Sequence, residues 1–142
     1  MDFILRGIPA SRGLAHGRIA VVREWTTSLT VERGAVLATP WPQAALSPPL
    51  NTAAALLCAH GGVLASLITL AREYGVPVVV GLGEELDHLR DGTTVWVDGH
   101  HGWVCSFDPR GIWRASVEQL ARTPTTNDAW SFLAARKEAA AP

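Results

Sequence analysis

The chain has 142 residues, 48% of them hydrophobic and 18% charged, with a formal net charge of −1. That is enough apolar material for one packed domain and too little charge for a disordered chain. The basic residues are scattered and the balance is near neutral, which argues against nucleic acid or an anionic membrane surface as a partner.

The first residues, MDFILRGIPAS, lack the basic start and long apolar stretch of a signal peptide. No run reaches the ~18 apolar residues of a membrane span. The expected location is the cytoplasm. Residues 3–23 read as two short strands around a glycine-rich turn, FILRGIPAS and GRIAVVRE. Residues 24–34 end in turn chemistry at Glu32-Arg33-Gly34. AVLAT (35–39) is a short buried strand. Pro40, Pro42, Pro48 and Pro49 then prevent a long helix, leaving room for one helical turn around Gln43–Leu46.

AAALLCA (53–59) is an apolar run of strand length that stops at His60-Gly61-Gly62. VLASLITLAREYG (63–75) has helical spacing and a glycine stop, and VPVVVG (76–81) is a β-branched, fully buried strand. Strand, helix and strand form a βαβ unit, so its two strands should be parallel. GEELDHLRDG (83–92) reads as a short amphipathic helix, and TTVWVDGHHGWVCSF (93–107) as a hairpin turning at Asp98-Gly99. Residues 109–142 hold two helical stretches split at Thr123-Pro124. The expected division is a domain at 1–108 and a helical extension at 109–142.

Cys58 and Cys105 belong to no metal-binding spacing. Cys58 reads as a buried thiol, and a disulfide between the two stays open. His100 and His101 are adjacent in a turn and read as solvated residues, not as metal ligands. His16 and His88 read as surface residues. Neither a metal nor a cofactor is expected.

Four stretches occur in an order that resembles the phosphohistidine swivelling domain of phosphoenolpyruvate-utilising enzymes. They are GIPASRGLAHGRIAVV (7–22), GAVLATPWPQAALSPPL (34–50), CAHGGVLASLITLAREYGVPVVVG (58–81) and LRDGTTVWVDGHHGWV (89–104). The resemblance implies an α/β fold, a swivelling β/β/α domain with a mixed central sheet and flanking helices. It also implies phosphoryl carriage by a histidine between an ATP-grasp domain and an acceptor site. In the resembling pattern, Gly61-Gly62 and Ala71-Arg72-Glu73 match, but the histidine falls on Ser66. Leu64, Ala65 and Leu67 differ from the pattern as well. A serine hydroxyl needs a base to attack, and its phosphate ester is too stable to pass a phosphoryl group onward.

The candidate site therefore consists of Ser66 and His60 as reactive groups, with His60 as the base for Ser66. Gly61 and Gly62 lead into a helix N-terminus that favours negative charge. If Trp41, Leu64 and Leu67 converge, they make an apolar pocket, and Arg72 is a candidate ligand contact. The plainer reading makes the glycines a tight turn, His60 a solvated loop residue and the tryptophans packing residues. Glu73 is expected to leave the buried face.

The function expected is a repurposed swivelling domain of a bacterial biosynthetic pathway. It would bind a small-molecule substrate or ligand and convert it by cyclisation, elimination or isomerisation. The alternative is a non-catalytic or atypical phosphotransfer module of a separate ATP-grasp protein. A homodimer is compatible with either.

Overall fold

The structure is a computed structural model that describes residues 3–23, 31–62 and 65–109. The chain divides into two compact units, Met1–Ser106 and Phe107–Pro142. The helical stretches expected after residue 109 lie outside the described residues.

Among its described residues the first unit holds eight strands, β1 (Ile4–Arg6), β2 (Ile8–Ser11), β3 (Leu14–Val21), β4 (Val36–Thr39), β5 (Ala55–Cys58), β6 (Val78–Val80), β7 (Thr94–Asp98) and β8 (Trp103–Cys105). It also holds two α-helices, α1 (Ser47–Leu50) and α2 (Ser66–Tyr74). The strands run in the order β1-β8-β7-β3-β4-β5-β6-β2. β3 pairs in parallel with β4, β4 with β5 and β5 with β6, whereas the other ladders are antiparallel. The sheet is mixed and the βαβ unit is parallel, as the apolar runs predict.

β3 belongs to two ladders. Leu14–Arg18 pair with β7, and Ile19–Val21 pair with β4. Gly17 sits near the handover, where a β-carbon would collide with the Gly34 carbonyl. β1 and β2 lie at opposite ends of the strand order yet are separated only by Gly7. One residue spans less than ~4 Å, so the sheet must curl until its two edges meet. The opening segment thus supplies three strands where periodicity suggests two, because Gly7 carries the chain from one edge to the other.

The curl produces three layers. Strands β4, β5 and β6 send alternate side chains to opposite faces. Leu37, Leu56, Val78 and Val80 face α1 and α2, where they pack with Leu46, Leu50, Leu67 and Ile68. Val36, Leu57 and Val79 face Val95, Val97 and Val104 of the second set of strands. Burial on both faces is why these strands read as continuous apolar runs rather than alternating ones. The arrangement is the β/β/α sandwich that the resemblance implies.

α2 begins three residues later than its apolar spacing suggests and ends at Gly75, whose φ of 73° is left-handed. The Gly75 N–H donates to the Ala71 and Arg72 carbonyls, and the Val76 N–H to Ala71 at 2.9 Å. This covers the last carbonyls of the helix. Pro48 and Pro49 lie in the first turn of α1, where a missing N–H costs nothing. The segment 83–92 forms a 3₁₀ helix over Gly83–His88 in place of the expected α-helix.

Both cysteines are free and buried. Burial pushes each thiol up to about 12, and the Asp98 carboxylate adds to the effect at Cys105. An unfolded thiol ionises from about pH 9. The unfolded state therefore loses its protons first, and stability is intact below pH 9 and falls as the pH rises toward 12. A thiol reagent at pH 8 should label neither cysteine in the folded chain and both after denaturation.

A β-carbon at Gly7 would lie 2.5 Å from the Val80 carbonyl and 2.6 Å from Val79 Cγ1. Gly7→Ala should cost about 2 kcal/mol or more in urea unfolding, because backbone has to move to admit the methyl group.

Candidate functional site

Two loops at the carboxyl ends of β4 and β5 build the face where the sequence places its candidate site. They are laced together along their backbones. The Ala59 N–H donates to the Thr39 carbonyl at 3.2 Å, and the His60 N–H to the Pro40 carbonyl at 2.9 Å. Thr39 Oγ1 donates to the Trp41 carbonyl at 3.3 Å, and Gln43 Nε2 reaches the Arg23 carbonyl at the same distance. Gly61 has a φ of 116° and lies under Pro42, whose Cδ is 2.6 Å from where a β-carbon would stand. Gly62 has open space around it.

The Trp41 ring is 55% exposed and stacks on His60, with centroids 5.0 Å apart. Ser66 is the first residue of α2 and is exposed. The base and nucleophile expected from sequence are not assembled, since no hydrogen bond joins His60 to Ser66. His60 stays with the end of β5, its N–H bound to Pro40 and its ring held by Trp41, while Ser66 begins the helix.

Leu67 is not a pocket residue. It is 1% exposed and lies in the core beside Leu46, Leu50 and Ile68. On α2 the buried positions are 67, 68 and 71, the spacing of one helix face, and Ser66 falls outside it. Leu64 lies outside the described residues. The described members of the expected apolar pocket therefore separate, Leu67 inward and Trp41 outward.

Arg72 is also apart from Ser66. It lies six residues further along α2, about 9 Å in helix rise. Its Nε donates to the Ala10 carbonyl of β2 at 2.8 Å. Glu73 is exposed, as expected. His16 and His88 are exposed too, and His16 stacks on Trp96 with centroids 5.6 Å apart.

The histidine turn is more ordered than its composition suggests. Asp98 Oδ1 accepts the N–H groups of His100 and His101 at 2.9 and 3.1 Å, and Oδ2 lies 2.8 Å from His101 Nδ1. His101 also stacks on Trp103, with centroids 4.6 Å apart. The Asp-Gly-His-His spacing is the signal for this turn, because an Asp side chain readily accepts from N–H groups two and three residues on. Among the described residues, no three or more His, Cys, Asp or Glu side chains gather into a metal site, and no helix is long and apolar enough to cross a membrane.

Residues 31–102 match the family model described as "PEP-utilising enzyme, mobile domain". The chain belongs to this family. It is 39% identical over 106 residues to the phosphoenolpyruvate synthase of Aeropyrum pernix, a match covering 72% of this chain and 13% of that protein. It is 37% identical over 98 residues to a chondramide synthase of Chondromyces crocatus, covering 69% of this chain and 2% of the synthase. The mobile domain thus spans about one eighth or less of these relatives. Among solved structures, a chain of Thermococcus kodakaraensis aconitase X superposes with a TM-score of 0.58 at 18% identity, covering 71% of this chain and 95% of that one. That likeness is one of fold.

The two site glycines separate packing from space. Gly61→Ala should lower stability by about 1–3 kcal/mol, because it meets both a positive φ and Pro42. Gly62→Ala should change stability by less than about 1 kcal/mol. Chemical denaturation of the two variants checks this.

Proposed function

We propose that this mobile domain does not carry phosphoryl groups at residue 66, and that its Trp41–His60–Ser66 face binds a small molecule as one wall of a shared site. The observation that carries the reading is the openness of that face. Trp41 is 55% exposed, Ser66 is exposed and Leu67 is withdrawn into the core. Small-molecule sites bury most of their ligand. A face this open supplies a platform and a hydroxyl, and a larger catalytic body would supply the remaining wall.

The chemistry at the face supports recognition and orientation. A planar or apolar group can lie against Trp41. Ser66 lies in the first turn of α2, ahead of the Ile68 and Thr69 N–H groups that donate to the Ala65 carbonyl, so developing negative charge would be favoured there. Cyclisation, elimination or isomerisation are the reactions that orientation and such electrostatics accelerate without a transferred group. The similarity to a chondramide synthase supports a biosynthetic setting.

The 39% identity to a phosphoenolpyruvate synthase favours a second reading, a non-catalytic or atypical phosphotransfer module of an ATP-grasp protein. Labelling separates the two. The chain is incubated in a lysate of its native cells with labelled ATP or phosphoenolpyruvate, then recovered. The first reading expects no retained phosphate. An acid-labile phosphate lost in His60→Ala, or an acid-stable one lost in Ser66→Ala, would overturn it in favour of the second.

A further inference from the structure

The opposite end of α2 borders a separate open cleft of about 620 Å³, lined by Ser11, Arg12, Arg72, Gly75, Gly99 and His100 among others. The volume falls within the range of small-ligand sites. Arg12, Arg72 and His100 bring basic or ionisable nitrogen donors to it, and none of the described residues lining it is acidic. Asp98 accepts from His101 and from two backbone N–H groups, and Glu73 follows Arg72 on α2 without entering the lining.

The C-terminal end of α2 works against an anion here, because helix carbonyls gather negative partial charge. That effect is limited by the Gly75 and Val76 N–H groups, which cover the Ala71 carbonyl. Arg12 and Arg72 set two guanidinium groups against the partial charge of the helix end. The bond from Arg72 Nε to the Ala10 carbonyl fixes the plane of one of them. Arg12 directly follows β2, on the same short stretch as Ala10 and Ser11.

We propose that this cleft binds a small oxyanion carrying two or more negative charges, either phosphoryl or dicarboxylate, with Arg12 and Arg72 as its main partners. Guanidinium groups suit both chemistries because their paired N–H donors match two oxygens at once. The site is independent of the Ser66 face, so either proposal stands if the other fails.

The test is a titration of the full chain at matched ionic strength, first with pyrophosphate and then with succinate, followed by NMR at the arginine Nε–H groups and the His100 ring. Saturable shifts at Arg12 and Arg72, with a Kd of about 1 mM or tighter for one of the anions, are expected. The tighter anion identifies the chemistry. Arg12→Gln should weaken binding about tenfold, Arg12→Lys should weaken it less, and Arg33→Gln should leave it unchanged. Thermal unfolding of each variant verifies that it is folded. Absence of saturation with both anions, shifts that sodium chloride reproduces, or undiminished binding by folded Arg12→Gln would overturn the proposal.

Discussion

The double pairing of β3 is the constraint on which the rest of the unit depends. Its first five residues hold β7, and its last three hold β4. One strand thereby belongs to both β layers, and the parallel strands β4, β5 and β6 are covered on one side by strands and on the other by helices. Gly17 permits the transfer, since any side chain there would strike the Gly34 backbone. Gly7 completes the closure by joining β1 to β2 across the seam. With both faces of the middle strands buried, the loops at their carboxyl ends stay exposed.

Those loops form two distinct chemical environments at the two ends of α2. At its start lie an exposed hydroxyl and a stacked Trp-His pair, and among the described residues no base is hydrogen-bonded to the hydroxyl. At its end lie two arginines and a histidine around an open cleft. A phosphoryl carrier needs a nucleophile that also releases the group it accepts. Serine meets only half of that requirement, and no described residue hydrogen-bonds the Ser66 hydroxyl.

Much of the fold was legible in the sequence because the signals are local. Two-sided burial writes itself as the runs at 53–59 and 76–81, and the left-handed stop of α2 writes itself as Gly75. The resemblance of four ordered stretches carried the layer architecture. What was not legible depends on long-range closure. Nothing local marks Gly7 as a crossing between sheet edges, and nothing local tells that Leu67 points inward while Ser66 points out, since a mostly apolar helix hides its own buried face. The site reading suffered accordingly. The resembling stretches group Leu67 with Trp41 in a pocket and make Arg72 a ligand contact beside Ser66, but helix rise and rotation send Leu67 to the core, Ser66 to the surface and Arg72 to the far end. Arg12 passed unnoticed because its partners across the cleft are remote in the chain.

The bond between Arg72 and the Ala10 carbonyl has a consequence for residue 66. It fastens α2 to β2 from the end of the helix opposite Ser66. Residue 66 stands outside that fastening, exposed on the first turn. The joint between α2 and β2 therefore does not depend on what side chain residue 66 carries.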